Sequence, residues 1–519
     1  MSDDPSGDGL SPSSSQAKLD ELPASLRAAL DEPPVPPKSW QDGVAPAFLA
    51  VGLSVVFLDR LAPSTLLVGG LGPSIVGAVL AGLLAYWCLY YAPAMWGVRT
   101  RRPLAVVATS TFGARGAVVV PGLLLGVAYV VWFAITIDYA TQYTLSGLAT
   151  CGLLDATQLA SSPMANLAVP RPLFLIVSAT WAMASAVVGA VAVRLVAAVM
   201  SAYLIFPAIA LAAAVVWAMP GVSAGPIETV PFTLGGGRAL AAMSQLVFAY
   251  LACVGLASVD WGAATKSERD VRNGGLAGLM LAVPVLATLA LLVVAGSLGR
   301  AAPGIAGAGG EPLGPGARPA IARIVPRLAA AQAEPVEPTL RDVFARGIKG
   351  RLGGVGLFVL ALGLLGPSCS NPYMFARQFH AALPRVPRWG WSVLGALAAW
   401  SMIATGATRH VEMLFGLVGG LAAPAVGAMA ADFARSRGVW PGPRRGVSLA
   451  GFTAWVTGTI AAYAVARWGE NFVATRYLPS SIVGFAASFL MYAGLAAARL
   501  EPKTFHAVIA EKPAASAEN

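Results

Sequence analysis

Charge is what this chain has least of. Asp, Glu, Lys and Arg make up only 12% of it, where soluble globular proteins carry about 25%. That supply cannot cover 519 residues with a water-facing surface, so a soluble globule is excluded. Histidine is scarce too: His380, His410 and His506 are too few and too scattered for a histidine-based metal centre. The four cysteines, Cys88, Cys151, Cys253 and Cys369, lack metal-ligand spacing and read as reduced, structural thiols. No Walker loop, nucleotide-binding glycine fingerprint, zinc-protease motif or nucleophile–base pairing occurs, so the expectation is a protein that is not an enzyme.

What is abundant is apolar. Hydrophobic residues make up 57% of the chain, and the mean hydropathy is +0.69. Runs of ~20 apolar residues cross ~30 Å of hydrocarbon, and lipid forces such runs to be helical because their backbone polar groups must pair internally. Fifty-seven Gly and 38 Pro would spoil soluble helices, but in a bundle they permit close packing and deliberate breaks. Twelve spans are expected, at about 45–70, 73–97, 116–147, 171–192, 195–219, 238–262, 274–298, 353–379, 390–406, 411–432, 447–467 and 479–499. The fold class is therefore an all-α polytopic membrane protein. Residues 1–43, rich in Ser, Asp and Pro, read as a disordered tail without the order of a signal peptide, and 501–519 form a second tail.

Orientation follows from the basic residues in short loops. With both termini in the cytoplasm, inner loops and span ends hold fifteen Lys and Arg, including Arg99, Arg101, Arg102, Arg194, Arg377 and Arg444, against five outside. That asymmetry places both termini inside, in the plasma membrane. The 300–351 loop then lies outside, with a short amphipathic helix expected at 319–333. The net charge of +10 reads as topology and contact with the lipid bilayer, not as nucleic-acid binding.

Polarity and helix breaking at membrane depth mark the candidate site. In the first span, Gly52-Leu-Ser54 precedes Asp59-Arg60 and Pro63, either a broken helix that frees carbonyls or an early helix end. In the third, Trp132 and Thr136 are one turn apart, an apolar platform beside a hydroxyl, and Asp138 follows as a proton-site or vestibule carboxylate. In the sixth, Asp260 reads as the cytoplasmic helix end, holding an intracellular Arg. In the eighth, Gly366-Pro-Ser-Cys-Ser-Asn371-Pro372 sets hydroxyls, a thiol and an amide between two prolines, either as oxygen ligands for Na⁺ or as a kink whose Ser hydroxyls bond back to their own helix.

Phe112-Gly113-Ala-Arg115-Gly116-Ala117, Pro121, Trp132-Phe133-Ala134-Ile135-Thr136, Ser370-Asn371-Pro372 and Pro384-Arg385 together resemble the nucleobase–cation symporter family of cytosine, purine, allantoin and hydantoin permeases. The resemblance implies a LeuT-type fold: two inverted five-helix repeats, about 44–219 and 238–432, plus two extra helices at 447–499. It implies a cation-coupled secondary transporter of a small, planar nitrogenous solute such as a nucleobase, working by alternating access. The substrate residues it implies are Trp132, Thr136 (where the family has Gln), Leu251, Phe375 and Asn371. The cation site it implies comprises helix-1 carbonyls around Gly52 to Val55, the Gly366 carbonyl, Cys369 and Ser370, with Na⁺ or H⁺ as coupling ion and no other cofactor. Asp59 and Asp138 are the carboxylates available for proton coupling. Two alternatives remain beside this reading: a proton-coupled amino-acid or amine carrier of the same fold, and a non-transporting membrane sensor.

Overall fold

The structure, a computed structural model, describes residues 36–43, 69–154, 171–203, 205–224, 234–301, 351–468 and 477–502, with Leu26, Ala62, Thr65, Leu66, Phe344, Ile348 and Thr504 besides. Ten described helices are long and apolar enough to cross a membrane: α1 (Leu71–Thr100), α2 (Val118–Thr150), α3 (Arg171–Tyr203), α4 (Ile205–Ala224), α5 (Leu234–Ala263), α6 (Glu268–Ser297), α7 (Arg351–Ala382), α9 (Val411–Arg435), α10 (Leu449–Trp468) and α11 (Ser480–Ala497). The 17-residue α8 (Arg388–Ala404) lies between α7 and α9. These helices account for the second to twelfth expected spans. The first span, apart from a few of its residues, and the expected 319–333 helix lie outside the described residues.

The break expected between the fourth and fifth spans, beside Arg194, falls at Ala192 (φ −133°, ψ 24°), a non-helical residue where two helical pieces of α3 meet across a kink.

The helices pack in two groups. Among the described residues, α1 packs against both α5 and α6 and α4 adds to α6, while α2, α3, α7 and α8 pack against one another. Between the groups α5 meets α2 only over a short stretch and barely reaches α7. The last helices, α9 to α11, pack together, with α9 laid along α5 and reaching α1 and α2. Small residues set the tightest crossing. A Cβ added to Gly97 of α1 would sit 2.1 Å from the Val259 carbonyl oxygen, and one added to Gly262 of α5 would sit 2.1 Å from that of Ala94. The two backbones touch, which is the usual way membrane helices gain packing energy without a hydrophobic driving force.

The ends of these helices are well closed. Arg101, in the left-handed region (φ 54°), terminates α1, and its guanidinium donates to the carbonyls of Ala263, Thr265 and Lys266 at the end of α5. Those carbonyls have no intrahelical donor of their own. Ser267 caps α6 by accepting from the Asp270 N–H at 3.1 Å. The chain ahead of the first span is tied to the same corner: the Lys38 N–H donates to Ala264 at 2.9 Å, and the Lys266 N–H returns a bond to Lys38 at 2.8 Å.

The Phe112-Gly113-Ala-Arg-Gly116 stretch lies in the link between α1 and α2, and the structure gives it a mechanical role. Its backbone pairs with the α9–α10 loop: the Ala114 N–H donates to Arg444, Arg115 to Gly446, and Ser448 to Phe112, at 2.8–2.9 Å. Gly113 has φ +80°, and a Cβ there would lie 2.5 Å from the Gly446 oxygen. Beneath the link, the buried Asp432 carboxylate accepts from Ser110 (2.9 Å), Thr111 (3.0 Å) and Arg444 (3.4 Å). Arg444 in turn reaches Glu501 at 3.1 Å and donates to the Tyr492 hydroxyl. A buried charge persists only when it is paired and hydrogen-bonded, and here both charges are.

Candidate functional site

The site is built where the two groups meet. Trp132 projects from the middle of α2, half-buried, and stacks on Tyr250 of α5 with ring centroids 5.2 Å apart and an interplanar angle of 27°. Tyr129, one turn earlier, meets the indole edge-on at 6.4 Å. Tyr250 is edge-on to Phe415 of α9 at 5.3 Å. An aromatic column therefore runs from α2 through α5 to α9. The indole Nε1 is shielded from water and has no hydrogen-bond partner among the described residues. An unmade hydrogen bond of this kind costs about 1–3 kcal/mol, so a ligand acceptor placed there gains that interaction.

Each sequence-expected residue has a definite place. Thr136 is buried, and its hydroxyl donates to the Trp132 carbonyl at 2.7 Å, so it faces its own helix turn. Leu251 is fully buried in the core, and the ring at its level that meets Trp132 belongs to Tyr250. A helix turns about 100° per residue, so a one-residue offset separates the wall of a site from the packing behind it. Phe375 does not join the aromatic column. It packs with Phe379 (4.4 Å) and Trp391 (6.1 Å) and against Gly395 of α8. Asn371 is 6% exposed, and Asp138 is 5% exposed on α2, six residues after the indole.

The eighth-span helix is interrupted, as its prolines imply. α7 breaks at Leu364, and the Leu364 N–H reaches back only three residues, to Ala361 at 3.1 Å. Pro367 and Pro372 lack the N–H groups that would have bonded the carbonyls four residues earlier. Around that break, the Ser370 hydroxyl donates to the Gly366 carbonyl at 2.9 Å. Cys369 is fully buried against Val196, Tyr203 and Leu365, and its backbone oxygen lies against Gly189 of α3. The bond uses the Ser370 hydrogen and one lone pair of the Gly366 oxygen, so both oxygens keep acceptor capacity, while Cys369 faces α3. Gly52, Val55 and Asp59 lie outside the described residues.

Two further residues stand at the lower edge of the seam. Asp260, at the end of α5, pairs with Arg377 of α7 at 3.8 Å and accepts the Leu104 N–H at 3.0 Å. The Arg expected to pair with Asp260 is therefore Arg377. Tyr250 and Phe415 were missed in the sequence. The signal that could have found Tyr250 is its place one residue before the aligned Leu251.

Two helix groups with α9 laid across their seam, an interrupted eighth span and a central indole define the LeuT type of membrane fold. The chain spans almost the whole of two solved structures that have it. One is the inward-facing conformation of Mhp1 (TM-score 0.58, 13% identity, covering 92% of this chain and 96% of that one). The other is Mhp1, a nucleobase-cation-symport-1 family transporter, in a closed conformation with bromovinylhydantoin bound (TM-score 0.59, 15% identity, covering 93% and 98%). No protein-family model matches the sequence, and no curated protein matches it. At these identities the likeness establishes the fold.

Proposed function

We propose that this chain is a cation-coupled secondary transporter that carries a small planar nitrogenous solute across the plasma membrane, with both termini in the cytoplasm. The Trp132–Tyr250 stack is the observation that carries the reading. It lies at mid-helix on the seam that α5 crosses only over a short stretch, and its indole N–H has no partner among the described residues. Two stacked rings present faces that a flat heterocycle can replace, and a donor left unpaired in a buried wall rewards a ligand acceptor. The hydantoin bound in the closed Mhp1 structure is a ligand of that shape. Alternating access follows if the two groups rock about the slot, each state exposing it to one side.

Of the two candidate coupling ions, the side chains favour H⁺. Cys369, a thiol where a second hydroxyl would serve Na⁺, faces α3, while Asp138 is a carboxylate buried on the helix that carries the indole. An ionisable group kept at that depth is costly and points to a role in transport. Uptake of labelled nucleobases and hydantoins into proteoliposomes, with an imposed H⁺ or Na⁺ gradient, tests the proposal. The expected result is uptake driven by H⁺ and abolished in Trp132→Ala. Uptake by Trp132→Ala at the parent rate would remove the indole from the site.

A further inference from the structure

We propose that Asp260 and Arg377 form a latch that holds the seam between the two helix groups closed on its cytoplasmic side. The sidedness rests on the orientation given under Proposed function. The latch itself rests on geometry alone. Tyr250 and Asp260 both lie on α5, ten residues apart, which is about 15 Å along a helix. The pair therefore stands roughly three turns below the slot, where the groups must part to let a solute leave. Arg377 belongs to the second group and Asp260 to the first, and α5 and α7 scarcely touch elsewhere among the described residues. The Leu104 N–H, in the link between α1 and α2, donates to the other carboxylate oxygen and fixes its direction. Tyr129, buried on α2, packs beside the indole above.

The chemistry suits a contact that must form and break in every cycle. An apolar seal re-exposes hydrocarbon surface when it opens. A charged pair at a mouth is hydrated on both sides as it separates, so opening costs little. The side chains are 22% (Arg377) and 12% (Asp260) exposed, near enough to water for that exchange yet sheltered enough for the pair to bias the equilibrium. Asp260 also carries the hydrogen bond to the link, so its charge couples the seam to the segment that joins the two groups.

The test needs no solute, so it fails independently of the proposed function. Spin labels go on Arg269→Cys, at the exposed start of α6, and Arg385→Cys, on the exposed α7–α8 turn, in the full chain with Cys88 and Cys151 replaced by Ser. Distances between the labels are then measured in lipid nanodiscs by pulsed electron resonance. Asp260→Asn is expected to raise the population of the longer distance about fivefold, Arg377→Gln to do the same, and the double variant to match either single one. Such equality is the mark of two residues acting as one contact. Distributions identical to the parent's, or a double variant showing the product of the two single effects, would overturn the latch. Arg377→Gln keeps the proposal testable should Asp260→Asn not fold.

Discussion

Removing one face of the aromatic slot, in Tyr250→Ala, has an effect that can be worked from the structure. In the closed column the Trp132 and Tyr250 centroids are 5.2 Å apart. A flat heterocycle between them needs two contacts of about 3.5 Å each, so the rings must part by roughly 2 Å. That separation breaks a stacked pair worth about 0.5–1.5 kcal/mol. The solute gains about 1–3 kcal/mol for each aromatic face it stacks on. Tyr250→Ala removes both terms, and the difference of their central values leaves about 1 kcal/mol of lost affinity, or roughly fivefold in Kd. Tyr250→Phe keeps the face and should stay within about twofold. Scintillation-proximity binding of the best solute from the uptake panel measures both variants. Binding to Tyr250→Ala as tight as to the parent would refute the slot, since nothing else in the calculation compensates for the missing ring.

Three further outcomes follow from the packing. Asp432→Ala leaves Arg444, only 6% exposed, with Glu501 as its one remaining carboxylate among the described residues, so the loss should fall below that of a fully uncompensated buried charge, about 3–5 kcal/mol; thermal unfolding in detergent should show a lowered midpoint, and an unchanged one would mean the cluster is not structural. Gly113→Val demands a left-handed conformation from a β-branched residue and a Cβ 2.5 Å from the Gly446 oxygen, so folded yield on size exclusion should collapse while Gly152→Ala, at a positive-φ glycine with open space around it, should lower it only slightly. Gln245→Leu breaks the paired bonds with Ser481 that join α5 to α11 at 2.8–2.9 Å; a loss of about 0.6–1.7 kcal/mol is expected, read by unfolding in a denaturant series.

Much of the fold was legible because lipid leaves few choices. Apolar runs of the right length had to be helices, so the second to twelfth spans were found, most of them to within a few residues. The break between the fourth and fifth spans was read beside Arg194 and lies at Ala192, two residues away. Some of the geometry around the candidate site was legible too. The indole, the proline-broken eighth span and the Asp260 pairing could be read from local chemistry. The facing ring was read one position off, at Leu251 and not Tyr250, because an aligned position does not fix helix rotation. Phe375 and Cys369 face neighbouring helices that only the assembled bundle defines. The Asp432–Arg444–Glu501 cluster joins residues far apart in sequence, and no spacing rule reveals such a contact.

The most direct measurement is a structure in lipid of the protein bound to the solute that the uptake panel selects. The account predicts the solute lying flat between Trp132 and Tyr250, the rings about 7 Å apart, and an acceptor atom at the indole Nε1. A solute bound elsewhere, with the two rings still stacked on each other, would contradict it.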